Sequence, residues 1–394
     1  MLRSLYSGIS GLRSHQTMLD VTGNNIANVN TAGYKASAVQ FQDTLSQLTQ
    51  GATAPGANAG GRNPAQVGLG VQVAGISTNF TQGSAQATGR GTDMMINGDG
   101  FFVTREGAQV QYTRAGAFDI DASGRLVTSD GALVQGWKAT DGVIADGGIP
   151  IDLTIPTDAI VPAAVTNRAT MAGNLPNDAA TGTKLTRDLE MFDAEGKSST
   201  VPVTFTKTGA GWDVAATVGA TTTTLALAFT GGRMTTPATA AGAVLAVGGA
   251  TLDLSGVSGF AEVDTLAVTG QDGRSAGTLL SWSMAGDGTL VGSFSNGAKQ
   301  SLGRIVLASF TNPGGLEKVG GSSYVATANS GDAVIGGPGV AGNGSVVAGS
   351  VEMSNVDLSQ EFTNLIVAQR GFQANARIIT TSDEVLQELT NLKR

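Results

Sequence analysis

A chain of 394 residues with net charge −8, no cysteine and a single histidine excludes several chemistries before any motif is read. Disulfide staples, thiol nucleophiles and multi-histidine metal sites are ruled out, and the acidic balance argues against nucleic acid, whose phosphates need clustered Lys and Arg. Glycine takes 57 positions, about twice its usual ~7% share, and charged residues only 14%. This suggests an extracellular β-rich protein, with an unusual cytoplasmic one as the alternative.

The chain opens without an unbroken apolar core followed by a small-x-small cleavage site, so no cleaved signal peptide is expected. No apolar run reaches about 18 residues, so no membrane insertion is expected either. From the start, Leu2, Leu5, Ile9, Leu12, Gln16, Leu19, Gly23 and Ile26 recur at alternating steps of three and four, the a/d seam of a coiled coil. Gly8, Gly11 and Gly23 each weaken an isolated helix by about 1 kcal/mol relative to Ala, so this helix needs a packing partner. Four asparagines follow, Asn24, Asn25, Asn28 and Asn30, ahead of a turn at Asn30–Gly33. They read either as a helix end running into a loop or as a contact between subunits.

Residues 31–70 read as a linker, Gly/Ala/Asn-rich from Gly51 to Gly61. From Gly70 the period changes to two, with Val71–Ala74 and Ile76–Phe80 alternating as half-buried strands do. Asn97-Gly98, Asp99-Gly100, Ser123-Gly124, Asp130-Gly131 and Asp141-Gly142 punctuate the next strands. Residues 71–149 with 286–354 are expected to form one antiparallel β domain. Residues 150–285, rich in Thr, Ala and Gly, are expected to form a second β domain inserted in the first.

The last forty residues form a second long seam, Leu358, Phe362, Leu365, Gln369, Phe372, Ala376, Ile379 and Leu386, widened by Ile366, Ile378, Val385, Leu389 and Leu392. Asp383 falls on it as an imperfection, and Gln16 and Gln369 are polar seam positions. Such residues either fix register or mark a solvated edge. The expected architecture is mainly β with long helical termini: 1–30 with 355–394 form a coiled-coil domain, and each outer domain is an insertion in the one before. Two helices alone look marginal, which predicts that both ends are disordered in a monomer and fold on assembly.

Little here reads as chemistry. Asp119, Asp121, Ser123, Gly124 and Asp130 have the spacing of a calcium loop, but the flanks read as strands and the last ligand is not Glu, so a hairpin turn is favoured. Gly337–Gly342 matches G-x-G-x-x-G without a strand-to-helix context. His15 lies between heptad positions and is expected to face solvent or a neighbouring subunit. No catalytic constellation, cofactor site or metal site is expected.

Ser7–Leu12, Gln16, Leu19–Val21 and Gly23–Lys35, together with Ser354–Ser359 and Val367–Arg377, resemble the N- and C-terminal signatures of the bacterial flagellar rod and hook proteins. Phe372 and Gly371 are mild departures. Asn97–Val103, Tyr112–Phe118 and Ser123–Trp137 resemble that family's core β domain, and Leu185–Asp193 the start of a hook-type outer domain. The resemblance implies a homo-polymer: an open helical tube with terminal helices inside, and no enzyme. It also implies rod, hook-cap and hook–filament junction proteins as neighbours, and export through the flagellar type III apparatus. The expected polymerisation surface comprises Leu5, Ile9, Leu12, Gln16, Leu19, Asn24, Asn25, Ile26, Asn28, Leu358, Phe362, Leu365, Gln369, Phe372, Ile379, Asp383 and Leu386. The large insertion favours a hook-type over a distal-rod subunit. An unrelated adhesin would not need heptads at both ends, and a secreted hydrolase would need a site that is not found.

Overall fold

The structure, a computed structural model, describes residues 2–55, 60–238, 242–340 and 342–392. Part of the Gly51–Gly61 stretch, Ala341 of the glycine hexamer, the Leu2 side chain and the last two residues lie outside the described residues. The chain is mainly β, with one long α-helix at each end: α1, Leu2–Ala27, and α2, Leu358–Leu392. None of the described helices is long and apolar enough to cross a membrane. The chain divides into two compact units. One comprises residues 1–155, 283–291 and 301–394, the other residues 156–282 and 292–300.

In the first unit the strands Leu133–Thr140, Phe101–Glu106, Gln109–Thr113, Ser323–Val325 and Glu317–Gly320 pair in that order, all antiparallel. Both faces of this sheet are covered, which is why Phe101-Phe102-Val103 is apolar throughout rather than alternating. Phe101 packs edge-on against Phe310 and Tyr324 at centroid distances of 5.9 and 6.0 Å. Phe102 points the other way, onto Phe118 at 5.1 Å. Two returning strands, Ser345–Ala348 and Ser350–Glu352, pair with Met94–Asn97 and Ala85–Ala87, so the chain arrives at α2 from inside the β structure.

The stretch read as linker carries strands. Ser37–Asp43 pairs with Val71–Thr78, and Ser46–Gln50 with Ala65–Gly68. Composition hid the second pair because Ser46–Gln50 and Ala65–Gly68 are exposed on both sides and show no alternation of burial. The first pair is held to α1 by small residues: Val71 N donates to Ser10 Oγ at 3.2 Å, and Gly70 leaves room for that hydroxyl.

The second unit packs a five-stranded antiparallel meander (Lys184–Phe192, Ser198–Lys207, Trp212–Val218, Thr221–Thr230, Arg233–Thr236) against a four-stranded mixed sheet (Val244–Val247, Ala250–Ser258, Arg168–Asn174, Ala267–Gln271). Alternation dictates the core: Val201, Val203 and Phe205 are buried with Trp212, Val214, Leu245, Leu252 and Leu254. The intervening Thr200, Pro202 and Thr204 face outward or are only half-buried.

Candidate assembly surface and the polar joint at its root

α1 and α2 run antiparallel. Gly8 lies by Ile379 and Asn375, Gly11 by Asn375, Gly371 by His15, and Asn25 by Glu361. The face that closes between them is built of small and polar side chains. Gly8, Gly11, Ser14, Thr22 and Asn25 are buried on α1, and Ala368 is buried on α2. A Cβ on Gly11 would fall 2.6 Å from the Asn375 amide, and one on Gly371 2.5 Å from the His15 ring. His15 therefore inserts between the helices over Gly371 rather than facing solvent, with its ring 5.8 Å from Phe41.

This close approach turns the large side chains outward. Leu5, Leu12, Leu19, Ile26, Leu365, Ile379 and Leu386 are half-buried at the flanks of the seam. Ile9, Leu358, Phe362 and Phe372 are exposed, Phe362 at 52%, and beside them Ile366 is exposed at 55%. Gln16, Gln369 and Asp383 are exposed, and Asp383 accepts a hydrogen bond from Gln387. α2 has 35 residues to the 26 of α1, so its last turns, with Val385, Leu389 and Leu392 exposed, run on past α1. An unpartnered apolar stripe on a helix pair is a surface awaiting a partner.

The asparagines act within the chain. Asn28 Nδ2 donates to Asn24 O and Oδ1 at 2.9 and 3.0 Å, closing the end of α1. Asn24 Nδ2 donates to Tyr34 Oη at 3.1 Å. Asn25 is 1% exposed, which removes it as a contact between subunits. Its amide donates to Ser37 O and Glu361 Oε1, and its carbonyl oxygen accepts from Tyr34 Oη and Ser37 N. At the other helix, Asp357 caps the start of α2 through Ser359 N at 2.8 Å. Asn355 ties the joint from its far side, accepting from Ala36 N and donating to Asn79 O and Thr81 O.

Beneath these lies a buried ion cluster that sequence reasoning did not find. Lys35 and Glu352 have fully buried side chains and pair at 2.6 Å; Arg114, 3% exposed, approaches the other Glu352 oxygen at 3.5 Å. Lys35 Nζ also donates to Thr81 O, Gly83 N donates to Glu352 Oε1, and Arg114 donates to Gly98 O and stacks over Phe101. Burial lowers the pKa of Lys35, opposed by its bond to Glu352. Burial likewise lowers that of Arg114, opposed by the charges of Glu352 and Asp99. The backbone docks at the same point, Gly33 N donating to Glu352 O at 2.8 Å. Gly33 has φ +67, and a Cβ there would meet Ala115 N at 2.3 Å, so glycine is required. Residues 33–36, 79–83, 114 and 352–355 thus form one joint at the root of both helices.

The calcium-like loop is satisfied by protein. Asp121 accepts from Ser123 N and Arg125 N and pairs with Arg125, while Asp119 pairs with Arg90. Among the described residues no group of three or more His, Asp or Glu could hold a metal.

Three family models match: flagella basal body rod protein over residues 5–35, the flagellar hook protein FlgE/F/G D1 domain over 95–168, and the flagellar basal body rod FlgEFG protein C-terminal region over 347–392. The first and third fall on the two helices and their shared joint, the second mainly on the sheet that carries them. The chain is 40% identical to the flagellar hook protein FlgE of Borreliella burgdorferi and 38% identical to that of Treponema pallidum, each over 100% of both chains. It is 35% identical to the flagellar basal-body rod protein FlgG of Bacillus subtilis, again over 100% of both. The chain belongs to the flagellar hook and basal-body rod protein family.

Proposed function

We propose that the chain is the repeating subunit of a flagellar hook, a curved helical tube that passes torque from rod to filament. The observation that carries this reading is its likeness to flagellar hook proteins over its whole length at 40% and 38% identity. The outward apolar rows of α1 and α2 support it, because a contact between two different faces of identical subunits that does not close on itself generates an open helical polymer. In this reading Leu5, Ile9, Leu12, Gln16, Leu19, Asn24, Ile26 and Asn28 of the N-terminal segment, with Leu358, Phe362, Leu365, Gln369, Phe372, Ile379, Asp383 and Leu386, contribute to the subunit contacts. The helix pair acts as a terminal domain that completes its burial on neighbouring copies, with the β domains outside it. Rod, hook-cap and junction proteins are its neighbours. The chain leaves the cell through the flagellar type III apparatus, and its role is structural rather than enzymatic.

A distal-rod subunit is the second reading, favoured by the match to the Bacillus subtilis rod protein. Polymerisation of the purified chain separates them: curved tubes support the hook and straight rods the rod. Removal of residues 359–394 should abolish either polymer, and a chain that still assembles without α2 would contradict both.

A further inference from the structure

The molecule holds one histidine among its 394 residues, and it sits where the two helices close. Imidazole is the side chain whose charge ordinarily changes between about pH 5 and 8. The fold therefore concentrates its response to mild acid at a single ring.

That ring is wedged in without a polar partner. Its Nδ1 is buried and makes no hydrogen bond. Its Cε1–Nε2 edge lies over Gly371, where a Cβ would come within 2.5 Å of both atoms, and the Gly371 carbonyl already accepts from Asn375 Nδ2 at 2.8 Å. Phe41 flanks the ring at a centroid distance of 5.8 Å. The surroundings supply no counter-charge. The α1 neighbours three and four residues away, Gly11, Leu12, Met18 and Leu19, are uncharged, as are Val367, Ala368, Ala374 and Asn375 around Gly371 on α2. The strand Val71–Thr78 that packs on α1 has no charged residue, and Ser37–Asp43 has only Asp43. Asp43 is exposed, and so are the other charged residues of these stretches, Arg13 and Asp20 on α1 and Arg370 and Arg377 on α2. Among the described residues His15 takes part in no ion pair.

We infer that His15 is a proton-sensitive wedge: the helices close over Gly371 around a neutral ring, and protonation of that ring drives them apart. Imidazolium carries an N–H on both nitrogens. Closing the pair on it would bury a donor that has no acceptor, and a charge that has no partner. The sign follows from this. Stability that depends on the neutral ring is complete above the imidazole range and is lost as pH falls through it. The consequence for assembly rests on the chain being a polymer subunit. The outward apolar rows of α1 and α2 form one surface only while the pair is closed, so mild acid disfavours the polymer.

The single histidine gives a clean test. The full chain and His15→Gln, whose amide takes up no proton in this range, are compared from about pH 7.5 down to about pH 5.5. Polymer is measured by sedimentation and helix by circular dichroism. The parent's critical concentration for assembly should rise several-fold on acidification, and that of His15→Gln should stay constant. No change in the parent overturns the inference. So does an equal change in both proteins, which would assign the titration to another group such as the α-amino terminus. If His15→Gln does not assemble, the parent is labelled with nitrogen-15 at its one histidine and observed in the tubes. Proton uptake by the ring only as polymer and helix are lost supports the wedge; an imidazolium ring in intact tubes overturns it. Failure of the parent to polymerise at any pH would refute the assembly reading instead. The helical signal then decides the wedge alone: acid-induced loss of helix confined to the parent supports it, and the absence of that loss overturns it.

Discussion

Glu352 is the residue on which the joint depends. Its carboxylate meets Lys35, Arg114 and Gly83 N, and its carbonyl takes Gly33 N. Removing one member of a buried ion pair costs about 3–5 kcal/mol when the survivor is left uncompensated. Glu352→Ala leaves two buried cations facing each other and should lose stability of that order in urea unfolding. Lys35→Met should cost clearly less, because Arg114 and Gly83 N still serve the carboxylate. Equal losses would contradict the central place of Glu352. The pH dependence has a defined sign. Burial raises the pKa of Tyr324 above its ordinary 10.0, so the folded state keeps a proton that the unfolded chain releases. Its stabilisation is full below about pH 10 and is lost as pH rises beyond it. Lys35, lowered by burial, acts the opposite way, adding stability as pH climbs toward 10.5. Stability measured from pH 9 to 11 should therefore fall less steeply in Tyr324→Phe than in the parent. Lys35 and Glu352 stand 317 positions apart. Nothing in one sequence pairs a lysine in an asparagine-rich turn with a glutamate before the last helix, so the joint was invisible although the signatures on either side of it were not.

The two helices were legible as elements, and their pairing face was not. Heptad spacing identifies an apolar stripe, and the natural inference is that the stripe closes on the partner helix. In the structure Gly8, Gly11, Gly371 and Ala368 let the backbones approach, and these small residues, rather than the apolar stripe, form the contact. Gly11 and Gly23 should then respond oppositely to substitution. Gly23→Ala, with nothing within 4 Å of a new Cβ, should gain up to about 1 kcal/mol of helix propensity. Gly11→Val must displace Asn375 and should lose about 1–3 kcal/mol. Thermal unfolding of the assembled protein followed by helical circular dichroism checks both. The outward stripe makes a different prediction. Phe362→Asp and Asp383→Lys alter exposed positions, so the β units should unfold at unchanged temperature while polymer yield falls at least tenfold; full assembly of Phe362→Asp would remove this face from the interface.

At the scale of the molecule, period-two alternation, as in Val201–Phe205, and Asn-Gly or Asp-Gly turns were enough to read a mainly β chain with helical ends. The strands within residues 37–68 escaped that reading, since Ser46–Gln50 and Ala65–Gly68 are solvated on both faces and carry no alternation. Electron micrographs of the purified chain under polymerising conditions test the central claim most directly. The account predicts curved tubes whose subunits project the β units outward from an inner layer of paired helices. Monomers alone under every polymerising condition, or tubes whose inner layer lacks the helices, would contradict it.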